Sequence, residues 1–114
     1  MSKRSKACDI TPKVRQQIYA RDCGCIFCQR DYMMPPEDEF TTTRGMLQIM
    51  HYIPRSQGGL GIPENLALGC VWHHNIMDNG NLGLREQMLI LFEDYLKAHY
   101  ENWDSKKLVY SKWN

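Results

Sequence analysis

The spacing of apolar and polar positions divides the chain into a short helix, a tight cysteine-bearing turn, an apolar hairpin and two further helices. Thr11 followed by Pro12 is a helix start, a hydroxyl cap with proline at the first helical position, and Val14 and Ile18 then fall on one face. That pattern predicts a helix to about residue 22. The stretch Cys23-Gly24-Cys25-Ile26-Phe27-Cys28 suits a tight turn better than a regular element. Residues 31 to 45, with Pro35, Pro36 and the acidic run Glu37, Asp38 and Glu39, read as an exposed loop.

Residues 46 to 53 are apolar, with the β-branched Ile49 and Ile53, and lead into Pro54 and then Gly58-Gly59-Leu60-Gly61. This predicts a strand, a wide turn and a return strand around residues 66 to 70. From about Trp72 a helix would carry His74 and Asp78 on one face, because residues four apart are neighbours on a helix surface. Asn79-Gly80-Asn81 should end it. Residues 84 to about 100 carry the strongest helical pattern, with Met88, Leu91, Phe92, Tyr95, Leu96 and His99 recurring at three and four residues. That stripe is expected to pack on the hairpin, with His99 a bystander. Trp103, Tyr110 and Trp113 predict a terminal segment that folds back and buries its rings.

A length of 114 residues, 43% hydrophobic and 24% charged, fits one soluble domain. The expected organisation is a basic flexible arm over residues 1–11, with Cys8 in it, and a single domain over 12–114. A core of this size is marginal and gains from a staple. No apolar run approaches the roughly twenty residues of a membrane span, and Ser2, Lys3, Arg4, Ser5 and Lys6 do not form a secretory signal, so a cytoplasmic protein is expected. Disulfides are rare in that compartment, which makes closely spaced cysteines better metal ligands than bridges. The net charge of +1 conceals an asymmetry: residues 1–21 hold six Lys or Arg against one Asp. Such an arm can neutralise phosphates, although many solvated tails have the same composition.

Cys25-x-x-Cys28 and Cys70-x-x-His73 are two close pairs about forty residues apart, the ligand set of a closed structural zinc site. A zinc ion held there would tie the first helix to the hairpin and do no chemistry. Cys23 competes with Cys25 as a ligand, at a wider spacing to Cys28.

The second constellation is Met50-His51-Tyr52-Ile53-Pro54-Arg55-Ser56-x-Gly58-Gly59, then Glu64-Asn65-Leu66, then Cys70-x-x-His73-His74 and Asp78. It resembles the HNH endonuclease family over roughly residues 12 to 80. The ββα-metal (His-Me finger) motif of that family has a His before a Pro-Arg-Ser-x-Gly-Gly stretch, an Asn-Leu opening the second strand and a Cys-x-x-Cys-His on the helix. The implied fold is α+β: a ββα-metal core at about residues 46–80, a structural zinc site and a long C-terminal packing helix. The resemblance implies hydrolysis of DNA phosphodiesters with weak sequence preference. His51 would be the general base, and Asn65 would orient it by bonding to backbone across the hairpin. His74 and Asp78 would hold a catalytic divalent ion: Mg²⁺, Mn²⁺, Ni²⁺ or Zn²⁺. Arg55, beside the base, is a candidate phosphate clamp. Compact proteins of this kind suggest a phage or another bacterial mobile element.

Two departures from the family pattern leave alternatives open. Met50 stands where another metal ligand is usual, and a thioether suits a hard cation poorly. Either His74 and Asp78 hold the ion with water and substrate, or Glu64 or the acids at 37–39 complete the shell, or activity is lost. His73 replaces the usual second Cys, so His73 and His74 could exchange roles. The rival readings are a DNA-binding module that has lost catalysis and a regulatory protein whose long helix docks a protein partner. The oligomeric state is not legible.

Overall fold

The structure is a computed structural model that describes residues 2–35, 46–79 and 82–111. The acidic run 37–39, the turn residues Gly80 and Asn81, and Trp113 lie outside the described residues. Six regular elements organise the rest: α1 (Lys3–Cys8), α2 (Pro12–Asp22), β1 (Leu47–His51), β2 (Leu66–Cys70), α3 (Val71–Asn79) and α4 (Arg85–His99).

Helix α2 begins as its cap residues dictate: the Thr11 hydroxyl accepts from the Val14 amide at 3.2 Å, with Pro12 inside the first turn. It ends at Cys23, which turns left-handed at φ 62°. Its buried Ile18 meets Leu66 and Leu68 on one side of the hairpin, flanked by Ile10, Val14, Leu47 and Ile49. Asp22 closes the helix onto the sheet. Its carboxylate is buried and accepts from the Leu68 amide at 2.8 Å, from Arg21 Nε at 2.6 Å and from the Tyr95 hydroxyl. Arg21 in turn donates to the Pro63 and Leu66 carbonyls and to the Tyr100 hydroxyl. Burial alone would lower the Arg21 pKa, but the bonds to Asp22 and Tyr100 outweigh it and the pKa is raised.

β1 and β2 pair antiparallel, from Leu47 opposite Cys70 to His51 opposite Leu66. Every residue of β2 is buried, because α2 covers one face while α3 and α4 cover the other. On α4 the fully buried Met88, Phe92 and Leu96 pack with Met50, Ala67 and Met77. Each such side chain contributes roughly 1.5–3 kcal/mol by leaving water. The stripe read from the sequence is this contact face.

The chain end returns to the hairpin turn. Val109 bridges Gly59, Leu60 N–H donates to the Leu108 carbonyl and Tyr110 N–H to the Gly58 carbonyl, both at 2.8 Å. Trp103 packs edge-on to Tyr52, 5.5 Å between centroids, and donates through Nε1 to the Glu64 carbonyl.

The amino terminus corrects the expectation of a flexible arm. Residues 3–8 form a helix, Cys8 is 2% exposed, and the Ala7 carbonyl accepts from Gly61 N–H at 3.0 Å. Close approach explains this docking: a Cβ on Gly61 would lie 2.1 Å from the Asp9 carbonyl oxygen, so only glycine lets the segment sit there. The fold is thus α+β, helices around a two-stranded sheet. Among the described residues no helix is long and apolar enough to cross a membrane.

Candidate metal centre and adjoining cleft

Four side chains converge where the turn after α2 meets the end of β2. Cys25 and Cys28 come from the turn, Cys70 from the last position of β2 and His73 from the first turn of α3. All four are buried, and their ligand atoms lie within 4.8 Å of one another. The turn is fastened to the sheet by Ile26 N–H donating to the Leu68 carbonyl at 3.0 Å. Backbone amides also point at sulfur: Cys28 N–H at the Cys25 Sγ, and His73 N–H at the Cys70 Sγ.

The separations fit one tetrahedral ion. Zinc bonds of about 2.3 Å to sulfur and 2.0–2.1 Å to nitrogen give tetrahedral edges of about 3.8 Å (sulfur to sulfur) and 3.6 Å (sulfur to nitrogen). Cys28 Sγ and Cys70 Sγ stand 3.7 Å apart, and His73 Nδ1 lies 3.5, 3.5 and 3.2 Å from the sulfurs of Cys25, Cys28 and Cys70. The imidazole is also set in the right tautomer. Its Nε2 donates to the Tyr32 carbonyl at 2.5 Å, which leaves the Nδ1 lone pair facing the three sulfurs. The bond with Cys70 and then burial push the Cys25 thiol up, while the same bond and His73 pull Cys70 down. A cation held there would favour thiolate on all three sulfurs. Among the described residues this is the one group of three or more potential ligands of its kind. Cys23 is exposed and outside it, so Cys25 is the member of that pair. His73 rather than His74 faces the sulfurs.

Beside this centre, a cleft of about 320 Å³ is lined by Ile49, His51, Pro54, Arg55, Ser56, His74, Asp78 and Arg85. Four of the residues singled out from sequence therefore share one cavity. His51, the last residue of β1, is half-buried. Its Nε2 donates to the Cys8 carbonyl at 3.4 Å, which leaves Nδ1 as the basic nitrogen. Burial chiefly, with Arg55 and His74 adding, lowers its pKa below the usual 6.5, against the opposing pull of the Cys8 carbonyl. His51 is therefore a neutral imidazole near pH 7, able to accept a proton.

His74 and Asp78 lie on successive turns of α3, with Nε2 to Oδ2 2.8 Å. His74 Nδ1 bonds to Gln48 Oε1, which fixes the ring so that Nε2 faces the Asp78 carboxylate. Two ligands at about 2.1 Å and a right angle stand about 3 Å apart, so the pair can form one edge of a metal shell. The same separation suits an ion pair, and two donors are fewer than a cation needs from protein alone. Arg85 stands by, donating to the Met77 carbonyl, 3.7 Å from the Asp78 carboxylate.

Asn65 is outside the cleft and fully buried. Its Oδ1 accepts from Ile53 N–H at 2.8 Å, while Nδ2 donates to the Ile53 and Leu60 carbonyls at 3.2 and 2.9 Å. It clamps the chain two residues beyond His51. The turn that follows depends on glycine: a Cβ on Gly59 would fall 1.7 Å from the Ile53 carbonyl oxygen, and Gly58 has φ +83°. Arg55 is exposed yet anchored, donating to the Cys8 carbonyl and pairing with Asp9, both at 2.7 Å.

Met50 does not face the cleft. It is 0% exposed in the core, where a Cβ on Gly69 would come within 2.4 Å of its sulfur, so this methionine takes room that glycine leaves. Glu64 lines other cavities, with His99 and Tyr100. Gln48 and Arg85 were not visible as site residues in the sequence. Arg85 left one faint sign, a cation in the first turn of a helix, where the macrodipole disfavours it; Gln48 left none.

Comparison with protein-family models, with curated proteins and with solved structures finds no match to this chain.

Proposed function

We propose that this chain is a metal-dependent DNA endonuclease of the HNH type, built on a ββα-metal core and stapled by zinc at Cys25, Cys28, Cys70 and His73. The observation that carries the reading is the single cleft shared by His51, Arg55, His74 and Asp78. In this reading water attacks the phosphorus of a DNA phosphodiester, its proton passes to His51 Nδ1 and the bond to the 3′ oxygen breaks. Asn65 holds the strand that carries His51. Arg55 and Arg85 face the phosphate oxygens from two sides of the cleft. His74 and Asp78 would hold a divalent cation, which supplies stabilisation of the charge building on phosphate and leaving group. The contacts are to phosphate, so sequence preference is weak.

The buried Met50 favours one second reading, because among the described residues it leaves only His74 and Asp78, beside His51, as metal donors in the cleft: a DNA-binding or regulatory protein on the same scaffold that no longer cuts. Supercoiled plasmid incubated with the zinc-loaded protein and EDTA, Mg²⁺, Mn²⁺ or Ni²⁺ separates the two. Nicking or linearisation that needs added metal and disappears in His51→Ala supports the nuclease. Plasmid that stays supercoiled in every lane, with a folded protein holding one zinc per chain, overturns it in favour of the second reading.

A further inference from the structure

Arg55 and Ser56 form a wall common to two cavities. One is the cleft described above; the other, of about 350 Å³, is lined by Ser2, Arg4, Ser5, Cys8, Arg55 and Ser56. Among the described residues two guanidinium groups and three hydroxyls line this second cavity, and no carboxylate does. The nearest acid in the network, Asp9, accepts from Arg55 Nη2. Arg4 donates through Nη2 to the Ser56 carbonyl at 3.1 Å and lies over Gly58, where a Cβ would sit 3.5 Å from the same nitrogen. A guanidinium has five N–H donors, so one bond to Ser56 positions Arg4 without exhausting it. The wall is tied to its neighbours: Arg55 donates to the Cys8 carbonyl and to Asp9, and α1 is held by the Ala7 to Gly61 bond. A cationic surface already ordered loses less entropy on binding than a loose arm would.

Building on the nuclease reading, we propose that this second cavity binds a further backbone phosphate of the DNA strand whose phosphodiester occupies the cleft, held by Arg4 and Arg55 with the serine hydroxyls. The strand runs from the cleft over the Arg55 and Ser56 wall onto α1. The chemistry selects an oxyanion, because forked N–H donors and hydroxyls match phosphate oxygens. The shared wall selects a phosphate belonging to the same polymer over a free anion. Helix α1, which carries Lys3, Arg4 and Lys6, is then part of the substrate surface.

The test is a fluorescence-anisotropy titration of labelled duplex and single-stranded oligonucleotides at several salt concentrations, with zinc-loaded full-length protein and no added divalent cation. Wild type is compared with Arg4→Ala, Arg4→Glu and Lys3→Ala, the last removing a charge of α1 that does not line the cavity. Arg4→Ala should weaken duplex binding on the order of fivefold at low salt and lower the slope of log K against log salt by about 0.9. Arg4→Glu should do more, and Lys3→Ala clearly less. Equal effects of Arg4→Ala and Lys3→Ala would leave only diffuse attraction and overturn the subsite. So would an Arg4→Ala titration that superimposes on wild type, even if the protein cuts plasmid. Arg4-dependent binding by a protein that never cuts supports the subsite and overturns the nuclease reading. Wild type that binds neither oligonucleotide overturns the subsite, and the plasmid assay then decides the nuclease reading by itself.

Discussion

Replacing Asn65 by alanine removes three hydrogen bonds from a side chain with no exposed surface: Oδ1 from Ile53 N–H, and Nδ2 to the Ile53 and Leu60 carbonyls. At about 1 kcal/mol net for each bond, the loss is about 3 kcal/mol, and the void left behind adds to it. For a domain of about this size, that lowers Tm by roughly 12 °C. Asn65→Asp sharpens the test. It keeps an acceptor for Ile53 N–H, but its second oxygen faces two carbonyl oxygens, so it should cost at least as much as alanine. Urea unfolding at 25 °C of the zinc-loaded proteins, alongside calorimetry, reads both. A cost below 1 kcal/mol for Asn65→Ala would refute the clamp and with it the argument that Asn65 holds the strand of His51. If the cleft cuts DNA, the folded fraction of Asn65→Ala should also lose rate, because Ile53 lies two residues beyond the base.

The metal centre predicts one tightly held zinc per chain by metal analysis. Cys28→Ala or His73→Ala should abolish it and leave little cooperative unfolding, since structural zinc supplies roughly 10 kcal/mol or more to small domains. Asp22→Ala should destabilise by about 3–5 kcal/mol in the same urea assay, because Arg21 keeps its buried charge without the partner that accepts from it. The lowered pKa of His51 has two consequences with signs that follow from it. Cleavage by the neutral base should rise with pH on an acid limb centred below 6.5 and be level by neutral pH, read from a pH–rate profile. The unfolded chain binds the His51 proton more readily, so the stability this histidine contributes is present above pH 6.5 and is lost as pH falls from there toward its folded pKa. His51→Gln should reduce that slope in urea midpoints measured across the same range.

Much of this molecule is legible without coordinates, because its signals are local. Thr11 and Pro12 start α2 through a cap that needs only a hydroxyl and a fixed φ. The stripe through Met88, Phe92 and Leu96 marks the buried side of α4 because a helix repeats every 3.6 residues. The two close pairs Cys25-x-x-Cys28 and Cys70-x-x-His73 announce a group that could hold a metal, because zinc selects sulfur and imidazole at these spacings. A choice such as His73 over His74 is not local. Neighbours on a helix differ by about 100° in direction, and which of them faces the sulfurs depends on how α3 leaves β2.

What tertiary structure alone decided are the contacts between segments that are far apart in the chain. The segment 1–11 reads as a solvated arm from composition. Its docking depends on Gly61, more than fifty residues on, which has no Cβ to collide with Asp9, and on Arg55, which donates to the Cys8 carbonyl. Met50 stands where the sequence resemblance leads one to expect a ligand, yet it points into the core because Gly69 across the hairpin leaves space for its sulfur. Gln48 and Arg85 enter the story only when β1 and α4 are brought against α3. Propensity, capping and ligand spacing act between neighbours in sequence and can be read there. Steric room and hydrogen-bond partners are properties of two surfaces at once, and they exist only after the chain has folded.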